Sequence, residues 1–491
     1  MDFIPCGESE YFIFDKEKKS FLGKFSIQDL RNAKREPIFS EAEFSAAAVE
    51  VDWNWGEVIS TLAEAKHRKI YAVCHDIKRA ASFCKIPELE EYMDQVWMFP
   101  GRDAFQEYFH KNTAIYLPLI VVGNETAASQ LKQILEKEHQ YRLTPKGRSM
   151  ENVLLTIGIP THARGHLLLK RLEHLRAMPY DAEIEIAISK NGDELYQQEY
   201  EEASRIADAR INYYDHGCTI EAARNWIHVV NMAHGKYVLL VSDEDDVVLG
   251  ALEHYLKLLM DNPEVSLARA KTVFQFGHIK ERFYEKKGPE AFRREVFGQN
   301  YLSGLIFRRE DFVRENFIQL ESFSENAFYK NYPHEWWCAR LSQTGDYLEE
   351  PFILIREGDS IFEEEMAQAR EQGTLQESDG MEKAFSLPVY ATYEARLEQF
   401  SGMIGFIRWI AGENQTVAAI ALIGAVLKTG GLLKIAREFG KYDDERLENV
   451  LNDFCCIAIR AVDEILTDEM AKKNVLERLK AAYIFLKCMR N

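Results

Sequence analysis

Short apolar runs separated by amphipathic segments dominate most of this chain. Within residues 1–150, the runs IYAVCH, QVWMF and IYLPLIVVG predict strands at 70–75, 95–99 and 115–123, with helical periodicity between and after them. No glycine-rich turn follows these strands, which argues against a dinucleotide site. The polar stretch TPKGRSMEN at 144–152 predicts a linker. This part of the chain is therefore expected to be a small α/β unit.

Strand-like and helix-like patterns alternate steadily from about residue 151 to 360. Helical patterns cover 165–177, 194–208 and 219–233. Such alternation predicts a mainly parallel sheet with helices on both faces, and ligands of such sheets bind beyond the carboxyl ends of the strands. The predicted strands are 153–159, 183–189, 211–215, 237–242 and 265–276.

Strand signals disappear after about residue 365. The segment 447–466 places its apolar residues on one helical stripe, and similar patterns cover 389–411, 414–428 and 470–489. These patterns predict a helical bundle with a structural or self-associating purpose, including association of copies of the chain. The apolar positions of the first stripe are Leu447, Val450, Leu451, Phe454, Ile457, Ala458, Ala461 and Ile465.

A length of 491 residues exceeds one ordinary core. We therefore expect an N-terminal α/β domain at 1–150, an α/β domain at 151–365 and a helical domain at 366–491. The net charge of −19 argues against a general affinity for nucleic acid or anionic membranes. The longest apolar run, at 417–427, is too short for a membrane span and predicts a buried helix.

The eight cysteines show no ligand-like spacing, and the N-terminus lacks the pattern of a signal peptide. These features favour a reducing, cytoplasmic setting over a disulfide framework or a structural zinc site.

The stretch YVLLVSDEDDVV at 237–248 joins a strand pattern to four consecutive acidic residues. Like charges at this density repel and raise one another's pKa, so the cluster is either a solvated loop or a cation site. Asp243 and Asp245, two residues apart just after a strand, can turn their carboxylates toward one point. Such oxygen ligands suit Mg²⁺ or Mn²⁺, and the metal would attract a diphosphate that an acidic protein otherwise repels.

Three segments carry a resemblance to a known family: LLTIGIPTHARGHLLLKRLEHL at 154–175, GCTIEAARNWIHVVNMAHGKYVLLVSDEDD at 217–246 and YLSGLIFRREDF at 301–312. In this order and spacing they resemble the family 2 glycosyltransferases of GT-A fold, whose Asp-x-Asp motif would be Asp243–Asp245. The resemblance covers roughly residues 153–360.

The resemblance implies a role for several residues. Pro160, Thr161 and Arg164 would line the nucleotide pocket, Arg224 and Asn225 would lie near the nucleotide and the metal, Asp243 would contact the ribose or a metal ligand, and Asp245 would bind the metal. Two structural alternatives stay open. Pro160 would then only end a strand, and Asn225 would only brace a loop.

Two positions depart from the family pattern. Lys190 stands where many members have an Asp that reads the base, which leaves Asn191 or Asp193 as substitutes and the base undefined. The region 353–360 lacks the late His that often lies near the metal, so a third metal ligand is missing or comes from elsewhere.

The segment HEWWCARL at 334–341 provides the acceptor-side candidates. Glu335 matches by position an acidic residue that often serves as catalytic base in the family. Trp336 and Trp337 suit stacking on an acceptor sugar, although large aromatic residues more often fill cores. We expect one tryptophan in each role, without a choice between them.

Together these features predict a cytoplasmic, metal-dependent, inverting glycosyltransferase. The family favours a UDP-sugar as donor, and the acceptor would be a hydroxyl of a glycan, a glycolipid or a protein. The alternatives are a sugar nucleotidyltransferase, for which GIPTHARG offers little of the usual glycine-rich loop, and a non-catalytic scaffold of the same fold.

Overall fold

The computed structural model describes residues 1–28, 44–51, 69–192, 196–273, 279–298, 301–358, 392–440 and 444–488. Its strands are β1 (Asp2–Gly7), β2 (Glu10–Asp15), β3 (Ser20–Ser26), β4 (Ala47–Val51), β5 (Ile70–Cys74), β6 (Val96–Phe99), β7 (Ile120–Val122), β8 (Leu155–His162), β9 (Ile184–Asn191), β10 (Ile211–Asp215), β11 (Tyr237–Leu240), β12 (Asp246–Val247), β13 (Val265–Val273), β14 (Phe283–Glu285), β15 (Leu305–Arg308) and β16 (Asp346–Arg356).

The α-helices of the described residues are α1 (Ile77–Ala80), α2 (Arg102–Lys111), α3 (Glu125–Arg142), α4 (Gly165–Arg176), α5 (Gln197–Ser204), α6 (Ala222–Met232), α7 (Leu252–Asp261), α8 (Pro289–Glu295), α9 (Arg309–Glu315), α10 (Ala327–Asn331), α11 (Pro333–Thr344), α12 (Tyr393–Ala411), α13 (Gln415–Gly440), α14 (Asp444–Ile465) and α15 (Glu469–Cys488). Short 3-10 helices cover Ala81–Lys85, Pro87–Gln95, Leu249–Ala251 and Phe317–Phe323.

A mixed central sheet has the strand order β10-β9-β8-β11-β15-β13-β16-β12, with β14 paired to β16. Strands β10, β9, β8 and β11 are parallel to one another, whereas β15 is antiparallel to both β11 and β13. The strands predicted at 153–159, 183–189, 211–215 and 237–242 are therefore confirmed as one parallel group.

Helices cover both faces of the central sheet because successive strand residues point to opposite faces. On β11, Leu239 packs into a buried cluster that includes residues of α4, α5 and α7. Val238 and Leu240 pack into a second cluster, which includes residues of α6 and α11. This layered mixed sheet confirms the predicted α/β class.

Strand β16 shows why part of the sheet escaped prediction. Glu349 and Glu350 lie in its middle and are both buried, although a buried strand is expected to be apolar. Arg294 lies 2.6 Å from Glu349, and Arg282 lies 2.6 Å from Glu350. The compensating charges come from distant residues, so the local pattern did not indicate a strand.

The N-terminal region contains two smaller sheets. Strands β6-β5-β4-β7 form a parallel sheet, and β1-β2-β3 form an antiparallel one. The strands predicted at 70–75, 95–99 and 115–123 correspond to β5, β6 and β7 and confirm a small α/β unit. The antiparallel sheet was not predicted, because its exposed face carries apolar residues such as Phe12 and Phe21 and hides the usual alternation.

A buried ion pair joins the N-terminal region to the central sheet. Arg142, at the end of α3, lies 3.1 Å from Asp181 and donates to the carbonyl of Ile115 at 2.7 Å. Burial raises the pKa of Asp181, but the hydrogen bond from His139 and the charge of Arg142 outweigh burial and hold this pKa below its usual range. The domain boundary that we propose near residue 150 is therefore crossed by a charged contact.

The helices α12 to α15 confirm the predicted helical region. Buried residues of all four helices belong to the same cluster as Val238, Leu240 and the buried face of α11. The stretch Gln415–Arg437 in α13 is long and apolar enough to cross a membrane by length and composition, and half of its most apolar window is buried inside the protein. The helical tail thus shares a core with the central sheet.

A second buried ion pair links α11 to α13 within that shared core. Lys428 Nζ lies 2.7 Å from Glu335 Oε1, and both side chains are buried. Burial raises the pKa of Glu335, and the charge of Lys428 only partly offsets this effect. Burial likewise lowers the pKa of Lys428, and the charge of Glu335 only partly offsets it. Each charge therefore depends on its partner to remain ionised in the interior.

We expect either single substitution, Glu335→Met or Lys428→Met, to lower the free energy of unfolding by roughly 3–5 kcal/mol, because each leaves an unpaired buried charge. The double variant should recover most of this loss. Urea titration measures all three. Arg408→Met is the matched control, since its pair with Glu464 is about half exposed and should contribute about 1 kcal/mol or less. Losses as small as the control in both single variants would contradict this role.

Candidate active site

Parallel strands bring polar side chains to one edge of the central sheet. Strand β8 ends at His162, β9 at Asn191 and β11 at Leu240. The register places Thr161 beside Lys190 and His162 beside Asn191. Ligands of open α/β sheets bind beyond this carboxyl edge, so these residues mark the candidate site.

Asp243 is fixed by groups from β8 and from the turn that follows it. It is buried on the loop after β11, where Thr161 Oγ1 donates to its Oδ2 at 2.7 Å and Arg164 Nη1 donates to its Oδ1 at 3.2 Å. Tyr200 Oη lies 2.8 Å from Thr161 Oγ1 and accepts the backbone N–H of Arg164 at 2.9 Å. The structure therefore brings together three of the predicted residues, Thr161, Arg164 and Asp243.

Asp245 is held by a different set of donors. Its side chain is buried, with Tyr301 Oη donating to Oδ1 at 2.6 Å and Ser303 Oγ donating to Oδ2 at 2.5 Å. Ser303 Oγ in turn accepts the backbone N–H of Ser242 at 2.8 Å. Both hydroxyl donors are neutral, so they orient the carboxylate without neutralising its charge.

The four acidic residues at 243–246 do not share the same charged partners. Burial is the main reason that the pKa values of Asp243, Glu244 and Asp245 lie above their usual range. Arg164 opposes this effect at Asp243 and Glu244, and Arg171 contacts Asp246. Asp243 receives hydrogen bonds from a hydroxyl and from Arg164, whereas Asp245 receives them from two hydroxyls and from the backbone of Gly358.

Asp245 fits a divalent metal ion better than Asp243 does. A carboxylate offers about four lone-pair sites, and the two hydroxyl donors occupy only part of that capacity. Asp243 is instead engaged by Arg164, so its contacts give no support to direct metal ligation. Within the described residues no group of three or more His, Cys, Asp or Glu side chains is arranged to hold a metal ion. Further ligands would have to be water or phosphate oxygens, as Mg²⁺ commonly uses.

The position expected to read the base holds a buried lysine, Lys190, which is paired with the exposed Asp215. Lys190 Nζ lies 2.8 Å from Asp215 Oδ2 and donates to Gln197 Oε1 at 3.1 Å. Asn191 donates to the carbonyl of Ile220 at 2.9 Å and accepts its N–H at 2.7 Å, so its amide braces the loop before α6. Base recognition by Asn191 stays a prediction, and Asp193 lies outside the described residues.

Asn225 makes bracing contacts, and its predicted place near the nucleotide and the metal stays a prediction. It is buried, accepts from Ser189 Oγ at 2.6 Å and donates to the Ser189 carbonyl at 3.2 Å, which joins α6 to β9. Arg224 lies 2.5 Å from Glu321 and is about half exposed. Pro160 is buried inside β8, paired in register with Ser189, and so does not end the strand.

The prediction that Glu335 is the catalytic base is contradicted by its position. Its side chain is only 2% exposed and is paired with Lys428 inside the shared core. A base must reach the acceptor hydroxyl directly or through one water molecule, and this buried carboxylate faces another helix instead. The sequence indicated the start of α11 correctly, but not that α13 covers it.

The prediction that one of the two tryptophans stacks on an acceptor sugar is also wrong. Trp336 and Trp337 are both fully buried. Trp336 packs 4.9 Å from Phe406 of α12, and Trp337 packs 5.4 Å from Phe312 of α9, measured between ring centroids. Both rings therefore serve core packing, because no face of either is open to a sugar.

Three residues of the site were missed by sequence reasoning: Tyr200, Tyr301 and Ser303. Ser303 belongs to the Ser-Gly pair of YLSG, so its motif was noticed but its contact with Asp245 was not. Tyr200 lies 39 residues from its partner Thr161 and had no local signal. Such contacts depend on how separate strands and helices meet.

Comparison with known proteins matches residues 156–312 to glycosyl transferase family 2. Among similar solved structures, residues 1–349 of TarS from S. aureus in complex with UDP-GlcNAc are 12% identical with a TM-score of 0.43, covering 68% of this chain and 90% of that chain. The mannosyltransferase PcManGT from Pyrobaculum calidifontis, in complex with GDP-Man and Mn²⁺, is 12% identical with a TM-score of 0.33, covering 72% and 95%. A search among curated proteins finds no match.

The matched segment begins in β8 and ends in α9, so it contains both carboxylates of the candidate site and most of their hydrogen-bond partners. Residues 156–312 therefore form a domain that matches glycosyl transferase family 2, and this match supports a glycosyltransferase.

Proposed function

We propose that the chain transfers a sugar from a nucleoside diphosphate sugar to a hydroxyl group of a glycan, a glycolipid or a protein. The observation that carries this proposal is the pair of buried carboxylates, Asp243 and Asp245, at the carboxyl edge of the central sheet within the family-matched segment. Asp243 is bound by Arg164, whereas Asp245 is bound by the hydroxyl of Ser303. A single displacement with inversion is the reaction that we expect.

Negative charge grows on the departing diphosphate in the transition state, so the donor side needs local positive charge. The chain as a whole carries −19 and supplies none through its overall field. Arg164 is about one-third exposed at the site edge, next to Asp243 and Glu244. We assign it to phosphate oxygens of the donor, with Asp243 holding its guanidinium in place.

A divalent ion such as Mn²⁺ or Mg²⁺ would supply Lewis-acid stabilisation of the leaving diphosphate. Asp245 is the residue that we assign to hold this ion, since its oxygens are fixed by neutral donors and keep lone pairs available. Tyr301 and Ser303 then act as orienting groups, the usual role of hydrogen-bond partners behind a ligating carboxylate.

The acceptor side needs a carboxylate that solvent can reach, which Glu335 does not provide. Asp246 contacts Arg171, whereas Glu325 is exposed in the turn before α10. Glu321, four residues earlier, pairs with Arg224 at the start of α6, which places this segment beside the site edge. We therefore propose Glu325 as the base, ahead of Asp246.

The decisive assay is a panel of UDP- and GDP-sugars with Mn²⁺ or Mg²⁺, scored by release of free nucleoside diphosphate. We expect slow hydrolysis of one donor, and a UDP-sugar is the first candidate. A nucleotidyltransferase would instead release pyrophosphate from a nucleoside triphosphate and a sugar 1-phosphate. If the folded protein neither binds nor hydrolyses any donor, this proposal is wrong and the non-catalytic scaffold is favoured.

Asp245→Asn should reduce donor hydrolysis by about two orders of magnitude or more, because it removes the charge proposed to hold the metal. Burial raises the folded-state pKa of Asp245, so the stability linked to its protonation is present at low pH and lost as the pH rises through that pKa. The metal-free variant should therefore melt at a higher temperature than wild type at neutral pH, and not in acid.

Nucleotide release and thermal melting in EDTA measure these two effects. Asp103→Asn, an exposed change of equal charge on α2, is the matched control and should alter neither. Undiminished donor hydrolysis by Asp245→Asn would remove this residue from the metal role.

Glu325→Gln should lower sugar transfer by about two to four orders of magnitude while nucleotide affinity stays nearly constant, the expected result of losing a positioned base. Glu310→Gln on α9 is an exposed control. The rate of sugar transfer reports the loss of the base, and titration with the nucleotide reports the affinity. A Glu325→Gln variant that keeps most of its transfer rate would shift the role to Asp246.

A further inference from the structure

The last helix of the chain has a charge opposite to that of the whole protein. Helix α15 carries five basic residues and two acidic ones, a net charge of +3, within a chain of net charge −19. The basic residues are Lys472, Lys473, Arg478, Lys480 and Lys487.

Helix α15 also has two distinct faces. Its inner face is buried against the other tail helices through Val475, Leu479, Ala482 and Leu486. At 3.6 residues per turn, six exposed residues fall within a wedge of about 80° on the outward side of the helix, and Glu469 in the first turn is its one acidic member. The other five residues, which define the α15 face, are Lys473, Leu476, Lys480, Ile484 and Lys487.

The α15 face interleaves amines with exposed apolar groups. Leu476 is 37% exposed and Ile484 is 48% exposed. Among the described residues, no carboxylate lies within 4.0 Å of Lys473 or Lys480, and the nearest to Lys487 is Glu448 at 3.9 Å. The amines of Lys473 and Lys480 are therefore available to an external anionic partner, whereas Lys487 also contacts Glu448.

We propose that the α15 face docks onto an anionic lipid surface, with the helix lying in the plane of the headgroups. Amphipathic helices with basic residues beside exposed apolar ones bind this interface, where anionic headgroups attract the amines and the apolar side chains enter the acyl boundary. The proposal concerns association with one leaflet and is independent of the donor and acceptor proposed above.

The charge of the α15 face favours an anionic lipid surface over a second copy of the chain. It also determines which side of the tail makes the contact. A second copy paired through the same face would bring lysines against lysines, which opposes self-association. The neighbouring helix α14 exposes Asp453, Asp463 and Glu464, which an anionic surface repels. Contact is therefore restricted to the α15 face and does not extend over the whole tail.

Co-sedimentation of the full-length protein with vesicles tests the proposal. The bound fraction should rise about tenfold or more when phosphatidylglycerol is added to phosphatidylcholine vesicles, and added salt should reverse the gain. Lys473→Glu/Lys480→Glu should abolish the gain, and Leu476→Ser/Ile484→Ser should reduce it at every salt concentration. Donor hydrolysis in solution reports that these surface variants remain folded.

Lys132→Glu/Lys137→Glu is the matched control, because both lysines are exposed on α3 and the charge change is the same. It should bind anionic vesicles as wild type does. Equal binding of wild type to both vesicle types would overturn the proposal, as would an equal loss in the α3 control. A change confined to the mass measured by light scattering, without lipid binding, would assign the face to self-association instead.

Discussion

The buried ion pair between Glu335 and Lys428 is the contact on which the arrangement of this protein depends. It lies where the central sheet, α11 and the helical tail share one core. Neither charge is stable in that interior without the other, so the pair requires α13 to pack against α11. The same contact removes Glu335 from the acceptor side, and the neighbouring tail residues cover Trp336. A single interaction thus determines both the role of the tail and the limits of the site.

The sequence predicted the parts of the fold that local patterns encode. The four parallel strands β8 to β11, and the position of Asp243 and Asp245 beyond the last of them, follow from apolar runs and turn residues. Strand β16 was missed because Glu349 and Glu350 are compensated by arginines from other elements. Partners that are distant in sequence cannot be inferred from a local pattern.

In the candidate site, too, residue positions were predictable from the sequence, whereas contacts between distant residues were not. The resemblance implied that Thr161, Arg164 and Asp243 lie at one site, and the structure joins them by hydrogen bonds. It left Asp243 with two roles, the ribose or a metal ligand, because the hydrogen bond from Arg164 has no signal in the sequence. It also placed Glu335 at a helix start without indicating its burial. Residue type and position were predictable, whereas local environment was not.

The shared core also has a consequence for synthesis of the chain. Glu335 and Lys428 are 93 residues apart, so α11 leaves the ribosome well before α13 can cover it. At about 5–20 residues per second, Trp336 and the unpaired carboxylate wait several seconds in a partly folded intermediate. Ribosome-bound chains that end before α13 should therefore be protease-sensitive around α11 and should bind chaperones there. The family-matched segment would reach its stable form only when the tail has been made.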